Sequence, residues 1–237
     1  MEKMNSTKAI VSASIIAFSL VIVGMLIMKG LQSLSESRTV SVRGLAEMEV
    51  KADLVTWPIK YKAVGNDVKE LHVDVKRASE LIREFLVNKG VKTEDINVGE
   101  FKVLDRKTDG YYNAEKAERY QMTTTVLVKS NEVDKIREIM TRTDELIDKG
   151  VAISQRDYED MDISYEYTGL NNIKPKMIEE ATKNARNAAE QFAKDSNSEV
   201  GGIKTATQGY FEIRDRDSFS PHIKHIRVVT SVNYFLK

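Results

Sequence analysis

The chain has no cysteine. That excludes disulfides, thiolate metal sites and cysteine nucleophiles, and it selects no redox compartment, since a cysteine-free chain suits any of them. Proline occurs three times and glycine twelve times in 237 residues, too few for a collagenous or proline-rich stalk. Excess charge of either sign is also lacking. The 36 Lys and Arg balance 36 Asp and Glu, so no basic surplus argues for nucleic acid as a partner. No G-x-S-x-G, Walker loop or H-E-x-x-H occurs. Gly201-Gly202 follows a predicted helix, whereas a phosphate cradle precedes one. No catalytic residue, cofactor or metal is assigned from the sequence.

The most informative stretch present is Ala9 to Met28, which carries no charge and no proline. As a helix it would run roughly 30 Å, the thickness of a bilayer's hydrocarbon core. A cleaved secretory signal has a shorter apolar core, about 7 to 15 residues, and no Ala-x-Ala site follows here. The sequence therefore predicts a retained single-pass anchor over 9–28, with the lipid bilayer as its partner. Basic residues flank both ends (Lys3 and Lys8, then Lys29 and Arg38) and do not settle orientation. Residues 1–8 are too few to hold a domain, so the expected topology leaves them in the cytoplasm and exports the long C-terminal part. Residues 29–37 read as a polar linker, and 38–237 are long enough for one large domain or two lobes, 38–150 and 151–237.

Beyond the linker the patterning predicts an α+β fold of antiparallel sheets packed by three amphipathic helices. Strands are expected at Thr39 to Val50, with a bulge or bend at Gly44, and at Leu54 to Val64, where Pro58 suggests an edge or a bulge. Asp67 followed by Glu70 resembles a capping box. Leu71, Val75, Ala78, Ile82 and Phe85 then recur at helical spacing, and Gly90 supplies the stop. Strands follow at Ile96 to Arg106 and Arg119 to Lys129. Asn131 is positioned to cap a second helix through Leu146. Short strands at Val151 to Ser154 and Asp160 to Thr168 come next, and then a third helix capped by Asn171 or Asn172. That helix has Pro175 in its first turn and an alanine face formed by Ala181, Ala185, Ala188, Ala189 and Ala193. Strands at Ile203 to Arg214 and Lys224 to Leu236 close the chain. The order strand, helix, glycine, strand, polar tip, strand occurs twice, from Leu54 to Lys129 and from Asp160 to Leu236. An internal duplication would account for it, although residue identities diverge.

Two features invite a chemical reading. His222-x-x-His225 is the one paired-imidazole spacing, but two nitrogens need a further ligand that the sequence does not identify. The acidic clusters Glu94, Asp95 and Asp157, Glu159, Asp160, Asp162 match no calcium loop and read as solvated surface. Tyr111, Tyr112 and Phe219 lie on polar hairpin tips, where exposed aromatics suit contact with a partner.

Val40-x-Val42-x-Gly44, Glu47, Val50, Ala52-Asp53, the alanine-faced helix and Gly201, taken in order, resemble the SIMPL-domain family, which includes YggE-like envelope proteins. Ala52 stands where a proline often precedes the aspartate, and Asp195 to Ser198 where a glycine is common. The resemblance implies an α+β domain in the periplasm or on the outer side of a bacterial inner membrane, self-association in some members, and loose links to envelope stress. It implies no catalytic residue. The expected function is a non-catalytic, homo-oligomeric scaffold or interaction protein with unidentified envelope partners; the alternative is a periplasmic small-molecule or metal-binding module.

Overall fold

A computed structural model describes residues 17–29, 38–108, 118–153 and 162–237. The fold is α+β with two sheets, and the chain divides into two compact units that interleave along it.

The larger unit holds Glu47–Pro175 and Glu212–Arg227. Its five-stranded sheet has the order β3-β5-β2-β6 with β4 also on β5, formed by β2 (Leu54–Gly65), β3 (Ile96–Val98), β4 (Lys102–Asp105), β5 (Tyr120–Ser130) and β6 (Ser164–Glu166). Alternation along β2 and β5 puts Val55, Trp57, Ile59, Met122, Val126 and Val128 inside, as period-2 patterning requires. Helix α2 (Val68–Asn88) lays Leu71, Val75, Ala78, Ile82 and Phe85 on that sheet. Its start is fixed by the Asp67 carboxylate, which accepts from the amides of Lys69 and Glu70, and its end by Gly90 at φ +84°. Pro58 pairs with Leu127 in an unbroken register, so no bulge forms on the β5 side. On the other side β6 is in register only with Leu54 to Thr56, so no β6 residue stands opposite Pro58 to receive the amide hydrogen it lacks.

The predicted second helix is two short ones, α3 (Val133–Met140) and α4 (Asp144–Ile147). Asn131 does not cap it. Its side-chain amide instead donates to the Asp53 carbonyl at 2.7 Å. Of the predicted strand over 151–154, residues 151–153 contribute a single bridge, Ile153 to Tyr61, and Ser154 lies outside the described residues.

The other unit comprises Met1–Ala46, Lys176–Phe211 and Val228–Lys237. The second sheet has the order β1-β9-β7, with β8 also on β9; its strands are β1 (Thr39–Lys51), β7 (Val200–Gln208), β8 (Glu212–Asp215) and β9 (Ile223–Leu236), of which β8, β9 through Arg227 and the end of β1 from Glu47 fall in the larger unit. Helix α5 (Leu170–Asp195) begins earlier than predicted, so Pro175 is its sixth residue and lies past the first turn. Met177, Ala181, Ala185, Ala189 and Ala193 are its buried residues, while Ala188, expected on the same face, is exposed; Ala185 and Ala189 pack with Val40, Val232 and Tyr234. At Gly44 the strand comes close to α5. A β-carbon there would lie 1.8 Å from the Ala181 carbonyl oxygen and 2.4 Å from the Ala185 nitrogen, so strand and helix backbones touch at this point.

Buried positions recur at a constant spacing. Leu71, Val75 and Ser79 of α2 correspond to Met177, Ala181 and Ala185 of α5, and Met122, Thr124, Val126 and Val128 of β5 to Val228, Thr230, Val232 and Tyr234 of β9. Each pair is displaced by 106 positions (71 to 177, 124 to 230), and every member is buried. Each central strand carries a split strand on one flank, β3/β4 on β5 and β7/β8 on β9. The first strand of the second set is β1, however, and β6 joins the other sheet. Thr124 and Thr230 share a further oddity: both hydroxyls are buried without a hydrogen-bond partner among the described residues.

Helix α1 covers residues 17–29, all of them exposed. Among the described residues no helix is long and apolar enough to cross a membrane. The predicted span begins at Ala9, and its portion over 9–16 lies outside the described residues, as does 30–37.

Candidate functional site

Ala52-Asp53, two of the residues that carry the family resemblance, form a junction inside the larger unit. The Ala52 amide donates to the His222 carbonyl at 2.8 Å, and the Asp53 amide to the Glu166 carbonyl at 2.9 Å. The Asp53 carboxylate accepts from the Thr168 amide at 2.7 Å, the Thr168 hydroxyl at 3.1 Å and the Gly169 amide at 3.1 Å. With the Asn131 amide on its carbonyl, this dipeptide fastens the start of β9, the end of β6, the approach to α5 and the entry to α3. The expected caps Asn171 and Asn172 are not what holds the approach to α5; Asp53, from far along the chain, is. A sequence reading confined to neighbouring residues has no access to that partner.

Beside the junction lies a cleft of about 340 Å³ lined by Lys51, Ala52, Asn131 to Lys135 and His222. Its charges are matched locally. Lys51 pairs with Asp134 at 3.2 Å, and Lys135 with Glu132 at 2.7 Å while also donating to the Gly90 carbonyl. That pairing holds the Glu132 carboxyl below its ordinary range. An ionic ligand entering here would have to displace an ion pair, and exposed pairs of this kind bind weakly enough to be displaced.

His222 sits at its rim, its ring edge-on to Tyr165 with centroids 6.2 Å apart. Burial, and then the nearby Arg137, push the imidazole below its ordinary value. The unfolded chain therefore takes up this proton first on acidification, so stability falls as pH drops through about 6.5 toward the lowered folded value. His222→Gln should reduce the loss of urea resistance between pH 7.5 and 5.5; an identical loss in parent and variant would remove His222 as the cause. The carboxylates held low by their cations, Asp105, Glu145 and Asp217 among them, act in a separate window. Their contribution is present above the ordinary carboxylate range and lost below it.

His222 and His225 do not converge. His225 is on β9, where its Nε2 lies 4.0 Å from a Glu47 oxygen, whereas His222 belongs to the turn before that strand, its ring against Tyr165. No group of three or more His, Asp or Glu side chains able to hold a metal occurs among the described residues. Glu94 and Asp95 belong to a solvated 3-10 turn, Thr93–Asp95. Asp157, Glu159 and Asp160 lie outside the described residues.

Of the predicted aromatic tips, Tyr111 and Tyr112 also lie outside the described residues. The stem beneath them is closed by Arg119, whose guanidinium grips Asp105 twice, at 3.1 and 2.8 Å. Phe219 is where the sequence put it, 94% exposed. It is held on a built turn: Asp217 accepts from the Phe219 amide at 2.9 Å, while Arg216 bonds Asp217 and Ser220, each at 2.9 Å. Tyr210, 99% exposed, was hidden from sequence reading because it falls inside the strand predicted over 203–214. The chain leaves the sheet after Gln208, and Tyr210 stands in that gap. The signal for the break is Gly209, whose amide donates to the Val229 carbonyl at 2.8 Å and whose added β-carbon would approach the same oxygen to 2.7 Å.

Residues 40–224 match the family model SIMPL, described as "Protein of unknown function (DUF541)". No curated protein is detectably similar to the chain.

Proposed function

The chain belongs to the SIMPL family, and from that premise we propose that it is a membrane-tethered, non-catalytic assembly and docking protein of the bacterial envelope, its α+β domain on the periplasmic side of the inner membrane. The observation that carries this reading is α1. Phe18, Leu20, Val21, Ile22, Val23, Met25, Leu26, Ile27 and Met28 are each between 44% and 69% exposed. An apolar surface that continuous is a poor fit to water and a good one to lipid. The uncharged sequence continues upstream to Ala9, which gives the length a crossing needs. Assembly is supported by exposed strand edges and by the presentation of Phe219 on a built turn, a geometry suited to a partner's pocket. Envelope stress is the setting the family resemblance implies. The cleft beside His222 is the feature a small-molecule module would use, but its self-matched ion pairs favour it less.

The test is fractionation of cells expressing the full chain. It should remain with membranes through alkaline carbonate and be released by detergent, and added protease should reach the domain in spheroplasts. Recovery of the intact chain in the soluble fraction would overturn the tether.

A further inference from the structure

We infer that β7 is a self-pairing edge, on which a second copy of this chain adds its own β7 antiparallel about a two-fold axis. This rests on the assembly reading above and names its partner and surface.

Strand β7 is uncovered in three directions. Its ladder partner is β9, and among the described residues its other edge has none. From Gly202 to Gln208 every residue is exposed, although β9 beside it buries Val228, Thr230, Val232 and Tyr234. Ala185 and Ala189 of α5 pack with β1 and β9 residues, and of β7 only Val200, at its start, joins that cluster. Ile203 opposes buried Tyr234, and Ala206 opposes buried Val232; on the inner face of the sheet both remain open, Ile203 at 54%. Between Ile203 and Thr205 the register shifts, a bulge that places Thr205 on the outer face, where the Asn233 amide donates to its hydroxyl at 2.7 Å. Thr205 to Gln208 then run in regular register.

Edge strands in soluble proteins are usually blunted by charge, proline or shortness. Here nine residues carry one charge, Lys204, and no proline. That composition points to this chain itself as the occupant. In antiparallel self-pairing centred on Thr205, Lys204 faces Ala206 and Ile203 faces Thr207. Centred on Ala206, Lys204 faces Gln208 and Thr205 faces Thr207. Either register keeps like charges apart and sets β-branched residues opposite one another or opposite small ones, the pairings that stabilise a ladder. A strand of another protein gains nothing from the lone lysine unless it brings an acid. A two-fold contact closes on itself, so both open edges are used at once.

Because the chain lacks cysteine, a single introduced thiol reports on this contact without background. The full chain in mild detergent would be sized by sedimentation, and Thr205→Cys, Ala206→Cys and Thr207→Cys oxidised beside Glu80→Cys, an exposed control on α2. The expected result is a dimer or larger species, with disulfide-linked dimer formed at least tenfold faster from one of the β7 variants than from the control. The double variant Thr205→Lys/Thr207→Lys should sediment as a smaller species with its circular dichroism unchanged. Assembly that persists in the lysine variant, with cross-linking no faster than the control, would overturn β7 as the surface while leaving self-assembly standing. A monomer at every micromolar concentration would overturn both.

Discussion

Gly44→Ala should destabilise the smaller unit by about 3 kcal/mol or more, beyond the usual range for adding one methyl group to a packed site. The reason is the identity of the obstructing atoms. The new carbon would fall 1.8 Å from the Ala181 carbonyl oxygen and 2.4 Å from the Ala185 nitrogen. Both belong to the α5 backbone, which has no rotamer to change and can yield only by moving the helix. Backbone conformation contributes nothing, since the glycines with positive φ among the described residues are Gly90 and Gly150. Gly202→Ala is the matched control. It sits on the same sheet with nothing within 4 Å of the added carbon, and its effect should stay within about 0.5 kcal/mol. Urea titrations of the two variants against the parent decide the point, and equal midpoints for both would show that α5 is free to retreat.

Removing the Asp53 carboxylate should cost about 2 to 4 kcal/mol. Its oxygens receive three hydrogen bonds from Thr168 and Gly169, and bonds to a charged group are worth about 1.5–3 kcal/mol apiece, less than additively when they share an acceptor. Asp53→Ala takes the acceptor from two amides and a hydroxyl at a corner where Asp53 and Gly169 are half-buried and Thr168 is exposed. Asp53→Asn keeps one oxygen and should lose roughly half as much, since the neutral acceptor is the weaker. Hydrogen exchange localises the effect: the Thr168 and Gly169 amides should exchange faster in Asp53→Ala, ahead of those in β5. A variant as stable as the parent, with those amides still protected, would mean that the ladder bond from the Asp53 amide to Glu166 holds the corner alone.

How much of this was legible beforehand depended on how far apart the interacting residues are. Helix α2 was readable to its ends because Asp67, the apolar stripe and Gly90 are neighbours in sequence. Strands β2, β5 and β9 were readable because burial on one face imposes alternation. Asn131 and Asn171 were misread for a shared reason: an asparagine before a helix looks like a cap until the chain folds, and here the Asp53 carbonyl took one amide while its carboxylate took over the turn before α5. The two strands that broke, at Gly99 and Gly209, carried a signal that went unused. Each glycine donates to a central-strand carbonyl at 2.8 Å, and an added β-carbon would crowd that same oxygen at 3.0 and 2.7 Å. A glycine inside a strand pattern announces such an approach. At Ala52 the amide hydrogen is in use on the His222 carbonyl, a bond that a proline at this position could not make. No local pattern could have exposed the bare flank of β7, which depends on how far α5 reaches.

The paired hydroxyls of Thr124 and Thr230 bear on how much stability this backbone can hold. A hydroxyl buried without a partner costs about 1–3 kcal/mol, and among the described residues neither of these two hydroxyls has one. Valine has nearly the same outline, so the architecture supports a sturdier protein than the natural residues make of it. Its present robustness reflects what selection required, not the ceiling of the fold.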